Sequence, residues 1–163
     1  MLNKLGVLTG TSCNLSCRYC YVKRTPKKIT YSIFRKSLAT FIQFYKNNPQ
    51  DSRYPSLVFV GGEPLLCWDI LKKSILFAYK AINHLNVSVV TNGTLLDYSK
   101  FSFLNKLGVR IILSLDGPAD IHNYYRKSDE YSTGTLEVIV KKIKKIQFKA
   151  RSSILIYSVI SPP

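Results

Sequence analysis

The sequence predicts an α/β fold in which parallel strands alternate with helices. Three observations support this prediction: short apolar runs of strand length recur along the chain, amphipathic stretches of helix length separate them, and turn residues follow most of the runs. The predicted strands are apolar on both faces, as is typical of a parallel sheet. We therefore predict four βα units and a fifth strand, forming one domain over residues 1–163.

The first two βα units occupy the N-terminal half. Residues 5–8 form an apolar run that a cysteine-rich segment ends, which predicts the first strand. Apolar residues then recur at helical spacing over residues 30–47. Residues 57–60 are entirely apolar and stop at a Gly-Gly pair, so they predict the second strand. A helix is expected over residues 69–83.

The C-terminal half repeats the same alternation. Residues 87–90 predict a third strand, and residues 97–107 predict a helix that Gly108 ends. Residues 111–115 predict the fourth strand. A lysine-rich amphipathic stretch predicts a helix over residues 135–148, with an exposed lysine face around a buried apolar stripe. Residues 154–160 predict the fifth strand.

Four unusual segments follow four of the predicted strands. They are the cysteine-rich loop after the first strand, Gly61-Gly62-Glu63-Pro64 after the second, Thr91-Asn92-Gly93 after the third, and Ser114 to Pro118 at the end of the fourth. The carboxyl ends of parallel strands lie at one edge of a sheet, where binding sites form. The sequence therefore predicts one site built from all four segments.

The composition favours a soluble, basic protein. Lys and Arg number 24 against 9 Asp and Glu, a formal charge of +15, which we interpret as a solvated surface without nucleic-acid binding. No apolar run reaches the roughly 18–20 residues that a membrane span needs. The N-terminus does not have the pattern of a signal peptide. We therefore expect a cytoplasmic protein.

Cys13, Cys17 and Cys20 lie within eight residues of one another. In a chain without a secretory signal, such clustering favours metal binding over disulfides. Three thiolates at these spacings can bind three corners of an iron–sulfur cube and leave one iron open. A zinc site with Cys67 as the fourth ligand and chance clustering of core cysteines remain alternatives.

Five segments together resemble the motifs of radical S-adenosylmethionine (SAM) enzymes, especially the anaerobic sulfatase-maturating and SPASM-type peptide-modifying branch. These segments are residues 11–21, 61–65, 91–93, 114–118 and 122–126. The resemblance implies a partial (β/α) barrel of the radical SAM type. It also implies a [4Fe–4S] cluster on Cys13, Cys17 and Cys20.

The resemblance further implies an activity. The cluster would cleave SAM reductively to give a 5′-deoxyadenosyl radical, which would abstract a hydrogen atom from a peptide or protein substrate. An electron donor such as a flavodoxin or ferredoxin would supply the electron. In such enzymes the cofactors carry the difficult chemistry, and the protein orients them.

The same resemblance assigns roles to the residues of the glycine turn and to one arginine. Gly61 and Gly62 would let the backbone approach SAM closely, and Pro64 would stiffen the turn. Glu63 would accept a hydrogen bond from the SAM ammonium group. Arg126 would pair with the SAM carboxylate, because its planar fork fits a carboxylate.

Further contacts are expected from polar and aromatic residues of the other loops. Ser114 would donate its hydroxyl to SAM, and Asn92 and Asp116 would reach the ribose hydroxyls or the substrate. Tyr19 would pack near the cluster and the adenine. Ordinary turns and core packing would account for the same residue types. Two more residues are expected to be structural: His122 in its loop and Cys67 as a buried free thiol.

The chain departs from the family pattern after the fifth strand. The family barrel usually has six βα units, and SPASM enzymes carry further cysteines that this sequence lacks. Three explanations stay open: a fragment of a longer product, a second chain that completes the barrel, or an inactive relative. A structural zinc or iron–sulfur module is the alternative function.

Overall fold

The computed structural model describes residues 3–47, 54–128, 130–146 and 154–160. The helices in these ranges are α1 (Tyr31–Lys46), α2 (Trp68–Ala81), α3 (Tyr98–Lys106), α4 (Ala119–Tyr125) and α5 (Thr135–Lys145). The strands are β1 (Lys4–Leu8), β2 (Ser16–Cys17), β3 (Ser56–Val60), β4 (Asn86–Thr91), β5 (Arg110–Ser114), β6 (Arg126–Lys127) and β7 (Ile154–Tyr157).

Five of the strands form one parallel sheet in the order β1-β3-β4-β5-β7. Their carboxyl ends are aligned, since Leu8 lies opposite Val60 and Ser114 lies opposite Tyr157. Strands that are neighbours in this sheet also follow one another along the chain, each joined to the next by a segment that contains a helix. The predicted α/β fold, a partial (β/α) barrel with four βα units and a fifth strand, is therefore confirmed.

One face of the sheet carries the hydrophobic core. Alternate strand residues point to this face because side chains in a strand alternate between its two sides. Strands β3, β4 and β5 and the first three helices contribute deeply buried members of the core: Leu57, Phe59, Val89, Ile111, Phe34, Leu38, Ile75, Ala78 and Leu104. Burial of an apolar side chain of this size contributes about 1.5–3 kcal/mol.

Two helices begin at residues whose side chains cap the first turn. Thr30 accepts a hydrogen bond from the Ile33 backbone at 3.2 Å, and Asp97 accepts one from the Lys100 backbone at 2.8 Å. Each cap satisfies a backbone N–H that lacks a partner inside the helix. The starts predicted for these helices, residues 30 and 97, coincide with the capping residues.

Several elements differ from the sequence prediction. The seven-residue helix α4 and the antiparallel pairing of β2 with β6 were not predicted. Strand β7 ends at Tyr157, before the predicted residue 160. Helix α5 ends at Lys145, and residues 147 and 148 of its predicted range lie outside the described residues. In the described ranges, no helix combines the length and apolar composition that a membrane span needs.

Candidate functional site

A cavity of about 380 Å³ opens at the carboxyl ends of the parallel strands. This volume falls within the range of about 300–1,000 Å³ that is usual for ligand pockets. The residues that line it come from strand ends and from the loops that follow: Leu8, Cys13, Leu15, Cys17, Tyr19, Cys20, Tyr21, Val22, Val60, Gly61, Gly62, Val90, Thr91, Asn92, Ser114, Arg126 and Val159. The predicted convergence of four segments is therefore confirmed.

The cysteine loop, residues 13–20, forms one wall of the cavity. Cys13 and Cys17 are half-buried, Cys20 is exposed, and all three line the cavity. Leu15 anchors the loop, because its side chain is only 2% exposed. This apolar residue between polar neighbours is the sequence signal that would have identified the anchor. The loop thus presents its three thiols to one space.

The electrostatics of this wall disfavour thiolates in the absence of a cation. Burial raises the pKa of Cys17 to about 11, although the positive charge of Arg126 lowers it, and the neighbouring Cys13 and Cys20 raise it further. Burial also raises the pKa of Cys13. Thiolates are the form that binds metals, and metal binding releases the thiol protons. A bound cation would relieve the repulsion among these thiolates.

The Gly-Gly turn after β3 holds the segment that leads into the cysteine loop. The backbone of Gly62 donates to the Gly10 carbonyl at 2.9 Å, and that of Glu63 donates to the Ser12 carbonyl at 2.9 Å. A Cβ atom on Gly62 would lie 2.2 Å from the Ser12 carbonyl oxygen, and one on Gly61 would lie 2.7 Å from the Gly10 oxygen. Glycine is required at both positions because the backbone of Gly10 and Ser12 lies too close for a side chain.

Glu63 is buried behind the cavity wall. Its carboxylate accepts hydrogen bonds from the Leu65 backbone at 3.0 Å, the Thr91 hydroxyl at 2.7 Å and the Asn92 backbone at 2.8 Å. Burial raises the pKa of this carboxyl group, and the three hydrogen bonds oppose that rise. Glu63 therefore joins the ends of β3 and β4. Neither Glu63 nor the adjacent Pro64, which starts a short 3-10 helix, lines the cavity.

Asn92 connects the turn after β4 with the cysteine loop. Its amide nitrogen donates to the Asn14 side chain at 3.0 Å and lies 3.8 Å from the Cys13 sulfur. Its amide oxygen accepts from the Thr94 backbone at 2.9 Å, and Asn14 in turn donates to the Thr94 hydroxyl at 2.8 Å. Sequence reasoning missed Asn14 and Thr94, whose pairing spans 80 residues.

Asp116 and Arg126 form a buried ion pair beside the cysteines. The guanidinium donates through Nε at 2.7 Å and through Nη2 at 3.0 Å to the two carboxylate oxygens. The side chain of Arg126 is 8% exposed and that of Asp116 is fully buried. The Tyr19 hydroxyl also donates to Asp116, and the Arg126 guanidinium lies 5.4 Å from the Tyr19 ring centre.

Ser114 ends β5 and faces the cavity. Among the described residues, none forms a hydrogen bond with its hydroxyl group. Nine of the twelve predicted site residues line this one space: the three cysteines, Tyr19, Gly61, Gly62, Asn92, Ser114 and Arg126. Glu63, Pro64 and Asp116 instead support the lining from behind. Sequence reasoning placed Thr91 in a site segment without giving it a role, and it missed the lining residue Val159.

Cys67 and His122 are buried outside the cavity lining. Cys67 is 7% exposed, and its thiol contacts the Thr9 carbonyl at 3.7 Å. His122 is fully buried, and its Nδ1 accepts a hydrogen bond from the Asp116 backbone at 3.2 Å. Across the part of the chain that the structure describes, no three His, Cys, Asp or Glu side chains are placed so that they could hold one metal ion.

Sequence comparison identifies relatives of this chain. A cysteine-type anaerobic sulfatase-maturating enzyme from Clostridium perfringens is 33% identical over 127 residues, which cover 72% of this chain and 34% of that protein. The radical SAM cyclopropyl synthase TigE from Paramaledivibacter caminithermalis is 25% identical over 166 residues, which cover 91% of this chain and 35% of that protein. The chain thus spans about a third of the length of these relatives.

Structural comparison agrees with the sequence matches. Native anSMEcpe with bound AdoMet and Kp18Cys peptide superimposes with a TM-score of 0.68 at 25% identity, over 94% of this chain and 42% of that one. The family model of the radical SAM superfamily matches residues 7–159, nearly the whole sequence. The chain therefore belongs to the radical SAM superfamily.

Proposed function

We propose that residues 1–163 form a radical SAM core domain that binds a [4Fe–4S] cluster and S-adenosylmethionine (AdoMet) and acts on a peptide or protein. One observation carries this proposal. Cys13, Cys17 and Cys20 share a cavity with the glycine turn, Ser114 and Arg126, at the strand ends where ligands of α/β sheets bind. The cluster and AdoMet would therefore occupy the same space.

The donor set fits an iron–sulfur cluster. Three sulfurs from one loop can bind three irons of a cubane and leave the fourth iron for AdoMet. A four-cysteine zinc site would need Cys67, whose buried thiol is engaged with the Thr9 carbonyl instead. When bound, the cluster would supply the electron that cleaves AdoMet to methionine and a 5′-deoxyadenosyl radical. A flavodoxin or ferredoxin would provide that electron.

The remaining lining residues suit AdoMet. The Ser114 hydroxyl can donate to the AdoMet carboxylate. Arg126 also lines the cavity, and Asp116 binds its Nε and Nη2 but not its Nη1. Tyr19 offers an aromatic side chain in the lining. Gly61 and Gly62 expose backbone to the ligand. AdoMet bound to anSMEcpe supports this assignment.

The proposed roles of the three supporting residues and of Asn92 follow from their positions. Glu63 would keep the glycine turn against β4, and it would accept a hydrogen bond from the AdoMet ammonium group only by exchanging one of its present hydrogen bonds. Pro64 would fix the direction of the chain after the turn. Asn92 and Asp116 would face the ribose or the substrate only if their present hydrogen bonds were exchanged.

A peptide or protein is the substrate class that the relatives support. The matched solved structure contains anSMEcpe with AdoMet and the Kp18Cys peptide, and other matched proteins are sulfatase-maturating enzymes. Tyr21, which is 98% exposed, is one of the lining residues of the cavity. A polypeptide could reach the site from that side.

Anaerobic reconstitution with iron and sulfide tests the proposal. We expect the wild-type chain to bind about four irons and to release 5′-deoxyadenosine from AdoMet when a chemical reductant is added. Cys17→Ala should lose both properties. Cys67→Ala is the matched control, which should keep the cluster because its thiol lies outside the cavity lining. A wild-type chain that takes up zinc instead of a cluster, or equal loss in both variants, would contradict the proposal.

A further inference from the structure

We propose that Asp116 is a positioning residue that holds the cysteine loop in place before the cluster binds. It does so by joining the loop to the segments that follow β5 and β7. The inference rests on the proposed function in one respect only, namely that the ligand of the cysteine loop is an iron–sulfur cluster. Its evidence is a set of contacts between residues 13–20 and residues 116–128.

The carboxylate of Asp116 is the group that joins the cysteine loop to the other segments, and we call it the joint. One of its oxygens accepts from the Tyr19 hydroxyl and from Arg126 Nε at 2.7 Å. The other accepts from Arg126 Nη2 at 3.0 Å and from the Val159 backbone at 3.1 Å. Since the side chain is fully buried, these four hydrogen bonds satisfy a charge that water does not reach. Three separate segments of the chain meet at this carboxylate.

The backbone of the loop is held on the same side. The Arg18 amide donates to the Tyr125 carbonyl at 2.9 Å, and Cys17 pairs with Arg126 in the short antiparallel ribbon of β2 and β6. The Arg18 side chain donates to the Tyr124 carbonyl at 3.0 Å and lies 3.9 Å from the centre of the Tyr124 ring. None of these contacts uses a cysteine sulfur.

Asn14 holds the opposite end of the loop. It pairs with Asn92 at 3.0 Å and with Thr94 at 2.8 Å, and its carbonyl accepts from the Ser128 hydroxyl at 3.2 Å. These partners are neutral, whereas Asp116 carries a charge. Loss of that charge would leave Arg126 buried without its partner, which is the costly way to break a buried ion pair. We therefore infer that Asp116 contributes more than Asn14 to holding the cysteine loop in place.

Hydrogen exchange of the anaerobically purified, cluster-free chain tests this inference. In Asp116→Asn, which keeps the side-chain volume, we expect the Arg18 amide to exchange at least about tenfold faster than in wild type. Amides of β3 and β4 should speed up less, and only by the factor that the loss of global stability accounts for. Tyr19→Phe removes only one hydrogen bond of the joint and should show the same pattern with a smaller increase.

Asp97→Asn is the matched control. It removes the same charge from another carboxylate that pairs with a basic side chain, Lys100, outside the cavity lining. Asparagine also remains a good helix cap, so this change should leave exchange in the cysteine loop as it is in wild type. An equal increase in Asp97→Asn would mean that loop exchange reports charge loss in general and would overturn the inference.

The rate of cluster assembly gives a second readout. With iron and sulfide in excess, Asp116→Asn should assemble the cluster several times more slowly than wild type and reach the same final iron content. Unchanged loop exchange in both Asp116→Asn and Tyr19→Phe would overturn the inference, as would a rise spread evenly over the whole chain. If the wild-type chain binds no iron, the proposed function fails, but the exchange data still decide the role of Asp116.

Discussion

At the scale of single residues, the site depends on close backbone contacts between the turn after β3 and the start of the cysteine loop. Gly62 is the clearest case, because its missing side chain lets the Ser12 carbonyl approach the turn after β3. The backbone hydrogen bonds of Gly62 and Glu63 then fix the start of the cysteine loop. This residue therefore determines where the loop begins.

Substitution of Gly62 tests this local requirement. In Gly62→Ala the new Cβ would meet a backbone atom that cannot move alone, so we expect a loss of about 1–3 kcal/mol or more in the free energy of unfolding. Gly6→Ala is the matched control, since nothing lies within 4 Å of the added Cβ in β1. Urea denaturation of both variants measures the difference. Equal stability of the two variants would contradict the requirement.

The charge of Asp116 gives stability a defined pH dependence. Burial raises the pKa of Asp116, but the hydrogen bonds from Arg126 and Tyr19 more than offset this and hold the pKa below its usual value. The unfolded chain therefore binds this proton at a higher pH than the folded chain does. The stabilisation is present at neutral pH and is lost as the pH falls below about 4.

A comparison of wild type with Asp116→Asn measures that dependence. The difference in unfolding free energy should be largest near pH 7 and should shrink as the pH falls from about 4 toward 2, because Asp116 then becomes protonated in both states. Denaturant titrations at a series of pH values provide the data. A difference that stays constant from neutral to strongly acidic pH would show that the charge of Asp116 does not stabilise the fold.

At the scale of elements, capping residues determine where helices begin, and they can be recognised in the sequence. Thr30 begins α1 by accepting from the Ile33 backbone. In α5 and at the residue that follows it, Ile139 and Ile146 are buried while Lys141, Lys144 and Lys145 are exposed, as the amphipathic pattern predicts. Local rules of this kind were sufficient to place the long helices and the parallel strands.

The cap of α1 gives a prediction at this scale. Thr30→Ala should reduce the free energy of unfolding by about 1 kcal/mol, since the Ile33 N–H loses its partner. Thr40→Ala makes the same chemical change at an exposed position inside the same helix, where the hydroxyl contacts only the Lys36 carbonyl. That control should cost nothing or slightly stabilise the helix. Thermal unfolding distinguishes the two, and equal losses would contradict the capping role.

The missed elements have a physical reason in common. Helix α4 has only seven residues, too few to show a helical repeat of apolar residues. The ribbon of β2 and β6 pairs two residues with two others that lie more than a hundred positions away. Neither element follows from local sequence, because both exist through contacts with the rest of the fold.

At the scale of the whole molecule, one edge of the sheet assembles the site. The sequence was enough to predict that the motif-bearing loops meet, because parallel strands place their carboxyl ends together. It did not reveal that Asp116 engages Arg126 and Tyr19, since nothing in the pattern indicates which side chains pair across 97 residues. The residue types of the site could be predicted, while their partners required the folded chain.

The central claim is that the three cysteines and the neighbouring cavity bind the cluster and AdoMet together. Electron paramagnetic resonance of the reconstituted, reduced chain, recorded with and without AdoMet, tests it most directly. We predict a reduced-cluster signal whose shape changes when AdoMet is added, because AdoMet would bind the iron that lacks a cysteine ligand. A cluster signal that AdoMet leaves unchanged, or no cluster signal from the intact wild-type chain, would contradict the claim.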